Sequence, residues 1–370
     1  RQRLPQTSDG VPGEIAPPIP RGLAGRRNWV TLTDRRIVPG VRFQRFTITD
    51  YRGPIRGQLV RVDPAAPGVR IDYTSRPYVA SAAPLGSLLG PRAVAAVNGD
   101  FFDIGATNAP LGVGRDRERG ALHGVMTGWN AALYVDRHHT WRIGPISTIG
   151  TVVQHPRLRI TSFNSPRVRP GEIGLYTGRW GATRNYRLSS DSGPIRTVLV
   201  RGGRVAANYP GPPSTLRAGG QLLVGTGRGA AQLAPLRRGS PVTVRVRYTG
   251  QPRVALTGNT RILLNGTRLS IDDREMHPRT AVGIDRDTGQ ILMLVIDGRQ
   301  SFSRGYTMVE LATLMKELGA EDAINLDGGG SSTIMGLTPY GEMAILNSPS
   351  DGVPRPIPNG LQVLYTPSRR

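Results

Sequence analysis

Two aspartates thirty positions apart, Asp297 and Asp327, are each followed by glycine, and their setting is one in which carboxylates do chemistry. The first closes the apolar run Ile291-Leu292-Met293-Leu294-Val295-Ile296. The second closes Ala323-Ile324-Asn325-Leu326 and opens Asp327-Gly328-Gly329-Gly330-Ser331-Ser332. Paired carboxylates about 5 to 9.5 Å apart can divide the work of cleaving a glycosidic bond, one near the sugar carbon and one moving a proton. Glycines after the second acid let backbone approach a ligand closely, and successive amides can form an anion nest. Ser331 and Ser332 add hydroxyl donors. One Asp-Gly after a strand is an ordinary turn. Two on one rim, the second running into Gly-Gly-Ser-Ser, point to a site.

The elements that must carry these acids are readable. Six consecutive apolar residues at 291–296 fit a strand covered on both faces. Met308, Leu311, Ala312, Met315 and Leu318 then recur at helical spacing, Thr307 with Glu310 makes a capping box, and Gly319 supplies the stop. Residues 323–326 read as a second buried strand. Strand, helix, strand at this spacing is a βαβ unit with parallel strands. Both acids then sit on the rim where open α/β sheets place ligands, roughly 5 to 10 Å apart if the strands are neighbours or next-but-one.

Upstream, short strands dominate. Val41–Ile48 and Gly57–Val62 are strand-like, and Val242, Val244, Val246 and Tyr248 alternate with Thr243, Arg245 and Arg247. Between about 145 and 265 the runs are short and broken by Gly/Pro turns, which reads as all-β. Residues 1–27, with Pro5, Pro12, Pro17, Pro18 and Pro20, read as an extended lead-in. The fold class expected is α+β (mixed α/β): β-rich, with a βαβ unit near the C-terminus and a central all-β segment.

Composition narrows the function. The chain has 370 residues, no cysteine and a formal charge of +22. Thiolate catalysis, disulfides and thiolate metal sites are excluded, and no apolar run approaches the ~18 residues of a membrane helix. Lys316 is the one lysine, so 47 of 48 basic residues are arginine, a group that grips phosphate bidentately. The charge favours anionic partners. Arg-Gly pairs such as Arg228-Gly229 are scattered and lack interleaved aromatics, which argues against nucleic acid. The five histidines have no metal-ligand spacing. A calcium or magnesium ion on Asp297, Asp327 or nearby oxygens stays open. Because the chain begins at Arg1 rather than Met, an N-terminal segment is expected to be missing.

The string Asn325 to Thr333, NLDGGGSST, with the Gly-x-Thr-x-x-Glu-Leu-Ala helix before it, resembles the phosphodiester glycosidase family. Asn98-Gly99-Asp100-Phe101-Phe102 resembles its N-G-x-F-F segment, and His277 to Gly283 its R-T-A-x-G segment. Asp297-Gly298-Arg299 and Asn347 to Asp351 with Arg355 resemble its later segments. The resemblance runs from about 36 to 366, is specific in the last ninety or so residues, and is looser between 145 and 265. It implies a catalytic domain over 28–366 with a β-rich subdomain at about 145–265.

What the resemblance implies is hydrolysis of the bond between an anomeric carbon and a phosphodiester. Asp327, Asp297 and Asp100 are then the catalytic candidates, with nucleophile, acid and base unassigned among them. Asn98, Arg279, Gly328, Gly329, Gly330, Ser331, Ser332 and Arg355 are the substrate-binding candidates, the two arginines meeting the phosphate. Phe101 and Phe102 read as core, and Arg299 as solvated surface. The substrate expected is a sugar phosphodiester or anionic glycan in a cell envelope, acted on by an exported protein. Three alternatives stay open: an O-glycosidase on an acidic polysaccharide, a non-catalytic polyanion-binding module, and a metal-dependent phosphodiesterase.

Overall fold

A computed structural model describes residues 5–181, 187–188, 193–213 and 220–369; the first four residues of the proline-rich lead-in lie outside it. The chain is mostly β. Among the described residues the α-helices are Arg228–Leu233 and Met308–Glu317. None of them is long and apolar enough to cross a membrane.

The strands that bear on the site belong to two sheets. An eight-stranded sheet runs in the order Asn28–Val38, Val41–Asp50, Gly53–Val62, Ile291–Ile296, Arg279–Ile284, Asp322–Leu326, Thr260–Leu264, Thr267–Arg268. A five-stranded sheet runs Met343–Ile345, Ile334–Leu337, Ala93–Asn98, Asn359–Tyr365, Val69–Ser75. A ten-stranded sheet, made mostly of residues between 114 and 226, and a three-stranded one complete the β-rich middle of the chain.

The apolar run 291–296 explains itself by its two faces. Ile291, Met293 and Val295 pack into the core shared with the five-stranded sheet, where Val97, Leu361 and Val363 meet them. Leu292, Leu294 and Ile296 pack on the other face, under Leu311, Ala312, Leu314 and Met315 of the helix. Period-two alternation is present, but both faces are buried, so every position is apolar. The helix begins as its sequence dictates: Thr307 accepts from the Glu310 amide at 3.2 Å and the Glu310 carboxylate accepts from the Thr307 amide at 3.1 Å. It ends before Gly319, whose φ of +111° favours glycine.

Ile291–Ile296 and Asp322–Leu326 both pair antiparallel with Arg279–Ile284, which lies between them. They therefore point the same way as next-but-one strands, and both aspartates emerge on one rim of the sheet. Arg279 opens the intervening strand at that rim, opposite Ile296. The neighbouring sheet contributes Asn98, at the end of Ala93–Asn98.

The lead-in does not hang free. The Gln6 carbonyl accepts from the Ile104 amide at 2.8 Å, and the Gln6 amide donates to Asp103 at 3.1 Å. Glu14–Ile15 pairs antiparallel with Glu275–Met276. Between these two anchors the chain crosses the rim that carries the aspartates.

Candidate active site

At that rim lies a cleft of about 180 Å³, lined by Asp327, Asn325, Gly328, Gly329, Phe101, His277, Arg279, Arg299 and Arg355, and on the near side by Thr7, Ser8, Asp9 and Val11. Asp327 is 6% exposed. Its Oδ1 accepts from the Gly328 amide at 2.9 Å, while Oδ2 is buried with no hydrogen-bond partner. Burial drives the carboxyl pKa up to about 7, against the pull of the nearby Ser331 hydroxyl, Arg355 and the Gly328 amide. A carboxyl group poised at neutrality beside a cleft is equipped for proton transfer.

Asn325 stands two residues earlier on the same strand and so on the same side of it. Its amide donates to Asn259 at 2.9 Å, and its Oδ1, like Asp327 Oδ2, is buried without a partner. Two unmet acceptors on one cleft wall are matched to a ligand rich in hydroxyl donors. Asn325 opens the family-like string 325–333 but is not among the site candidates read from sequence; its i−2 relation to Asp327 is the signal that places it.

The lining is also cationic, with Arg299 and Arg355 lying against the glycine loop that follows Asp327. Arg299, which reads from sequence as solvated surface, is half-buried in the cleft and holds a left-handed backbone at φ +59°. Such strain in a non-glycine residue is kept where surrounding structure fixes it. Its Nη2 donates to His277 Nδ1 at 3.2 Å, while His277 Nε2 donates to Glu275 at 3.1 Å. Burial, then the charges of Arg279 and Arg299, lower the His277 pKa, which keeps the ring neutral and able to accept from Arg299. Arg355 bonds Asp351 at 3.0 Å. Arg279 donates to the backbone carbonyls of Tyr306 and Glu275 at 2.8 and 3.0 Å, and burial depresses its pKa to about 10.

Other residues expected in the site stand outside the cleft lining. Asp297 shares the rim but not the cleft lining. Its carboxylate is held by Gln58 at 3.0 Å, Asn347 at 3.1 Å and the Ser348 amide at 3.1 Å. It anchors the 347–348 loop, which leads on to Asp351 and Arg355. Burial raises its pKa while those donors lower it. Asp297→Ala would strand one buried and two half-buried donors and should cost about 2–4 kcal/mol by chemical denaturation. Its loss of activity should track that loss of stability.

Asn98 is likewise inward. Its Nδ2 donates to the Asp327 carbonyl at 2.7 Å and its Oδ1 accepts from Thr280 at 2.9 Å and the Thr333 amide at 3.1 Å. It positions the Asp327 turn rather than lining the cleft. Asp100, also outside the lining, accepts from the Gly112 amide at 2.8 Å and Thr257 at 2.9 Å. Burial raises its pKa strongly, and the charge of Asp327 adds to that rise.

Four amides of the glycine loop are bonded within the fold. The Gly328 amide serves Asp327, the Gly329 amide donates to the Pro278 carbonyl at 3.0 Å, and the Ser331 and Ser332 amides turn back onto Gly328 and Gly329. Ser331 and Ser332 are buried outside the lining, and the Ser332 hydroxyl donates to that of Thr280 at 3.0 Å, whose own proton goes to Asn98. The glycines matter for space instead. A Cβ on Gly329 would stand 3.1 Å from Asp9 and 3.2 Å from Arg299, and one on Gly330 would collide with Arg355 and Asp351. Phe102 belongs to the core, whereas Phe101 lines the cleft and its ring centroid lies 5.4 Å from that of Trp129.

The carboxylates close enough to share a cation, among the described residues, are Asp285, Asp287 and Glu321. They lie at the other end of the same strands. Asp285 caps the amides of Asp287 and Thr288, and Glu321 caps that of Arg286.

Residues 196–364 match the family model for phosphodiester glycosidases. Over 89 residues, 24% of this chain and 13% of the relative, the chain is 35% identical to an uncharacterized prophage-derived protein of Bacillus subtilis (strain 168). Over 60 residues, 16% of this chain and 11% of the relative, it is 45% identical to N-acetylglucosamine-1-phosphodiester alpha-N-acetylglucosaminidase of Mus musculus. The matched stretches thus span little more than a tenth of those relatives' lengths. Among solved structures, a protein of Burkholderia pseudomallei K96243 described as exported superposes with a TM-score of 0.69 at 17% identity, over 98% of this chain and 99% of that one. That likeness shows a shared fold.

Proposed function

We propose, from the premise that residues 196–364 match the phosphodiester glycosidase family, that this chain is a hydrolase that cleaves the bond between a sugar's anomeric carbon and a phosphodiester. One observation carries the reading. Asp327 holds an unpartnered carboxylate oxygen, with a pKa of about 7, in a small cleft that arginines also line.

The chemistry follows from that placement. Ionised, Asp327 takes a proton from the water that attacks the anomeric carbon, and supports the positive charge that gathers there. The carbon–oxygen bond breaks and its electron pair leaves with the phosphate as a monoester. A phosphate ester is already a good leaving group, so the need is charge neutralisation, which the arginines of the cleft lining supply. Asn325 Oδ1 is left to accept from a sugar hydroxyl. Because Asp327 works ionised, kcat/KM should rise with pH through about 7, and that limb should be absent from a variant lacking the carboxylate.

The substrate class that fits is a sugar-1-phosphodiester within an envelope glycan or other phosphate-bearing polymer, acted on outside the cytoplasm. The formal charge of +22 supports the anionic polymer, and the exported description of a structural neighbour supports the location. Incubation with a sugar-1-phosphodiester in oxygen-18 water tests the reaction. The label should enter the hydroxyl of the released sugar; label confined to phosphate would mean phosphorus–oxygen cleavage and overturn the reading.

A further inference from the structure

The positive charge is not spread evenly over the chain. Residues 137–271 hold 21 arginines and two acids, Glu172 and Asp191, which is +19 of the formal +22. From Ser192 to Ile271 there are 80 residues without an aspartate or glutamate. The other 235 residues carry 27 basic and 24 acidic side chains and are close to neutral, although Asp327 and its rim belong to them. A chain-wide preference for arginine would not also empty one stretch of acids. The charge is concentrated in the β-rich middle.

Part of it is ordered on one sheet face. The three-stranded sheet runs His155–Ile160, Thr148–Val152, Val244–Tyr248, each strand antiparallel to its neighbour. Its inner face is apolar: Val152, Leu158 and Ile160 enter a core cluster against which Val244 and Val246 pack. The residues that alternate with these point outward. They are Arg157 and Arg159 on one edge strand and Arg245 and Arg247 on the other, all exposed. Thr151, on the middle strand, stands directly opposite both Arg159 and Arg245. Strand geometry sets the arginines about 7 Å apart within a row and the rows about 10 Å apart.

The face is held rigidly. The Val153 amide donates to the Thr243 carbonyl at 3.0 Å and the Thr243 amide to Gln154 at 2.8 Å, which ties the turn after the middle strand to the far edge. Among the described residues none of the four guanidinium groups joins an ion pair, whereas Arg119, Arg142, Arg286 and Arg304 each hold an acid. Like charges fixed at this spacing repel, and an anionic chain laid across them relieves that repulsion. No Phe, Tyr or Trp stands on the outward face to stack a base, since Tyr248 is buried on the inner one. None of the four arginines lines the Asp327 cleft.

We propose that Arg157, Arg159, Arg245 and Arg247 form a second binding surface, apart from the cleft, for a polymer with phosphates repeated along its length. Resting on the hydrolase reading above for its identity, that polymer is the substrate, gripped away from the bond that is cut. Holding it there raises the local concentration of its ester bonds at the cleft without a new contact to the reacting atoms.

Equilibrium binding needs no turnover, so it tests this surface separately from the hydrolysis. The probe is long-chain inorganic polyphosphate. Replacing all four arginines by glutamine should reduce the slope of log K against log salt by about 3, and replacing either edge pair alone by about half as much. Lysine at the same four positions keeps the charge and should keep the slope. Arg21, Arg36, Arg70 and Arg92 are also exposed and lie outside 137–271. Their replacement by glutamine removes the same net charge and should change the slope by less than about 1. Equal losses in the two fourfold glutamine variants would make the binding a property of net charge and overturn the proposal. So would an oligothymidylate bound about tenfold more tightly than polyphosphate of equal charge, which would mark a nucleic-acid surface. A slope loss confined to the four face arginines would uphold it even if no oxygen-18 enters a sugar.

Discussion

Asp327→Asn is expected to lower kcat by roughly 10²–10⁴-fold while leaving the fold intact, the range that positioned proton transfer contributes. It should at the same time stabilise the protein at neutral and alkaline pH. The sign follows from the raised pKa. Below 3.8 the carboxyl is protonated whether the chain is folded or not, and it contributes nothing. As pH climbs from 3.8 to about 7 the unfolded chain releases its proton while the folded one must hold it, so stability drains away, and above about 7 the full penalty of a buried charge is in place. At 1.4 kcal/mol per pH unit this approaches about 4 kcal/mol as an upper bound. Asparagine carries no such penalty, so its advantage in urea unfolding should be absent at pH 3.5 and largest at pH 8. A variant both dead and more stable at pH 8 identifies a carboxylate kept for function. A variant that is active, or is dead because it is unfolded, does not.

Gly330→Ala is the second large effect, and it needs no charge change. The added methyl group would occupy the space now taken by the Arg355 guanidinium and the Asp351 carboxylate. Arg355 is the end of a long side chain at the cleft edge, so it yields before the backbone does. Losing a charge-assisted hydrogen bond to phosphate costs about 1.5–3 kcal/mol, which is roughly 10- to 150-fold in kcat/KM. Thermal stability should change little. Combining Gly330→Ala with Arg355→Ala should add nothing further, because both remove the same contact. Additive losses would place the role of the glycine elsewhere, for instance in the loop's own hydrogen bonds.

The parts of this molecule legible from sequence are those set by neighbours along the chain. The capping box at Thr307, the stop at Gly319 and the two-faced burial of 291–296 follow from local spacing. The shared rim of Asp297 and Asp327 also follows, because a helix between two strands returns the chain in the same direction. What spacing could not show is that Arg279–Ile284 runs antiparallel between them, a pairing set by the whole sheet.

The site divides along the same line. Two aspartates with the same Asp-Gly signature have different fates because of partners far away in sequence. Gln58, Asn347 and Ser348 claim Asp297, while nothing claims Asp327 Oδ2. Amides that a glycine loop leaves free in principle are here bonded to Pro278, Gly328 and Gly329. Arg299 is one arginine among 47, and its entry into the cleft depends on a left-handed backbone and on His277. Asp9 lies in a proline-rich stretch with no periodicity to read, and its contacts with Arg299 and Arg355 span 290 and 346 residues.

The most direct test of Asp327 as the residue that works at the anomeric carbon is a crystal structure of Asp327→Asn soaked with a sugar-1-phosphodiester. The account predicts the anomeric carbon beside the side chain at position 327, a sugar hydroxyl on Asn325 Oδ1, and phosphate oxygens on the guanidinium groups that line the cleft. A sugar ring bound with its anomeric carbon turned away from position 327, or held instead against Asp285, Asp287 and Glu321 at the other end of the strands, would contradict it.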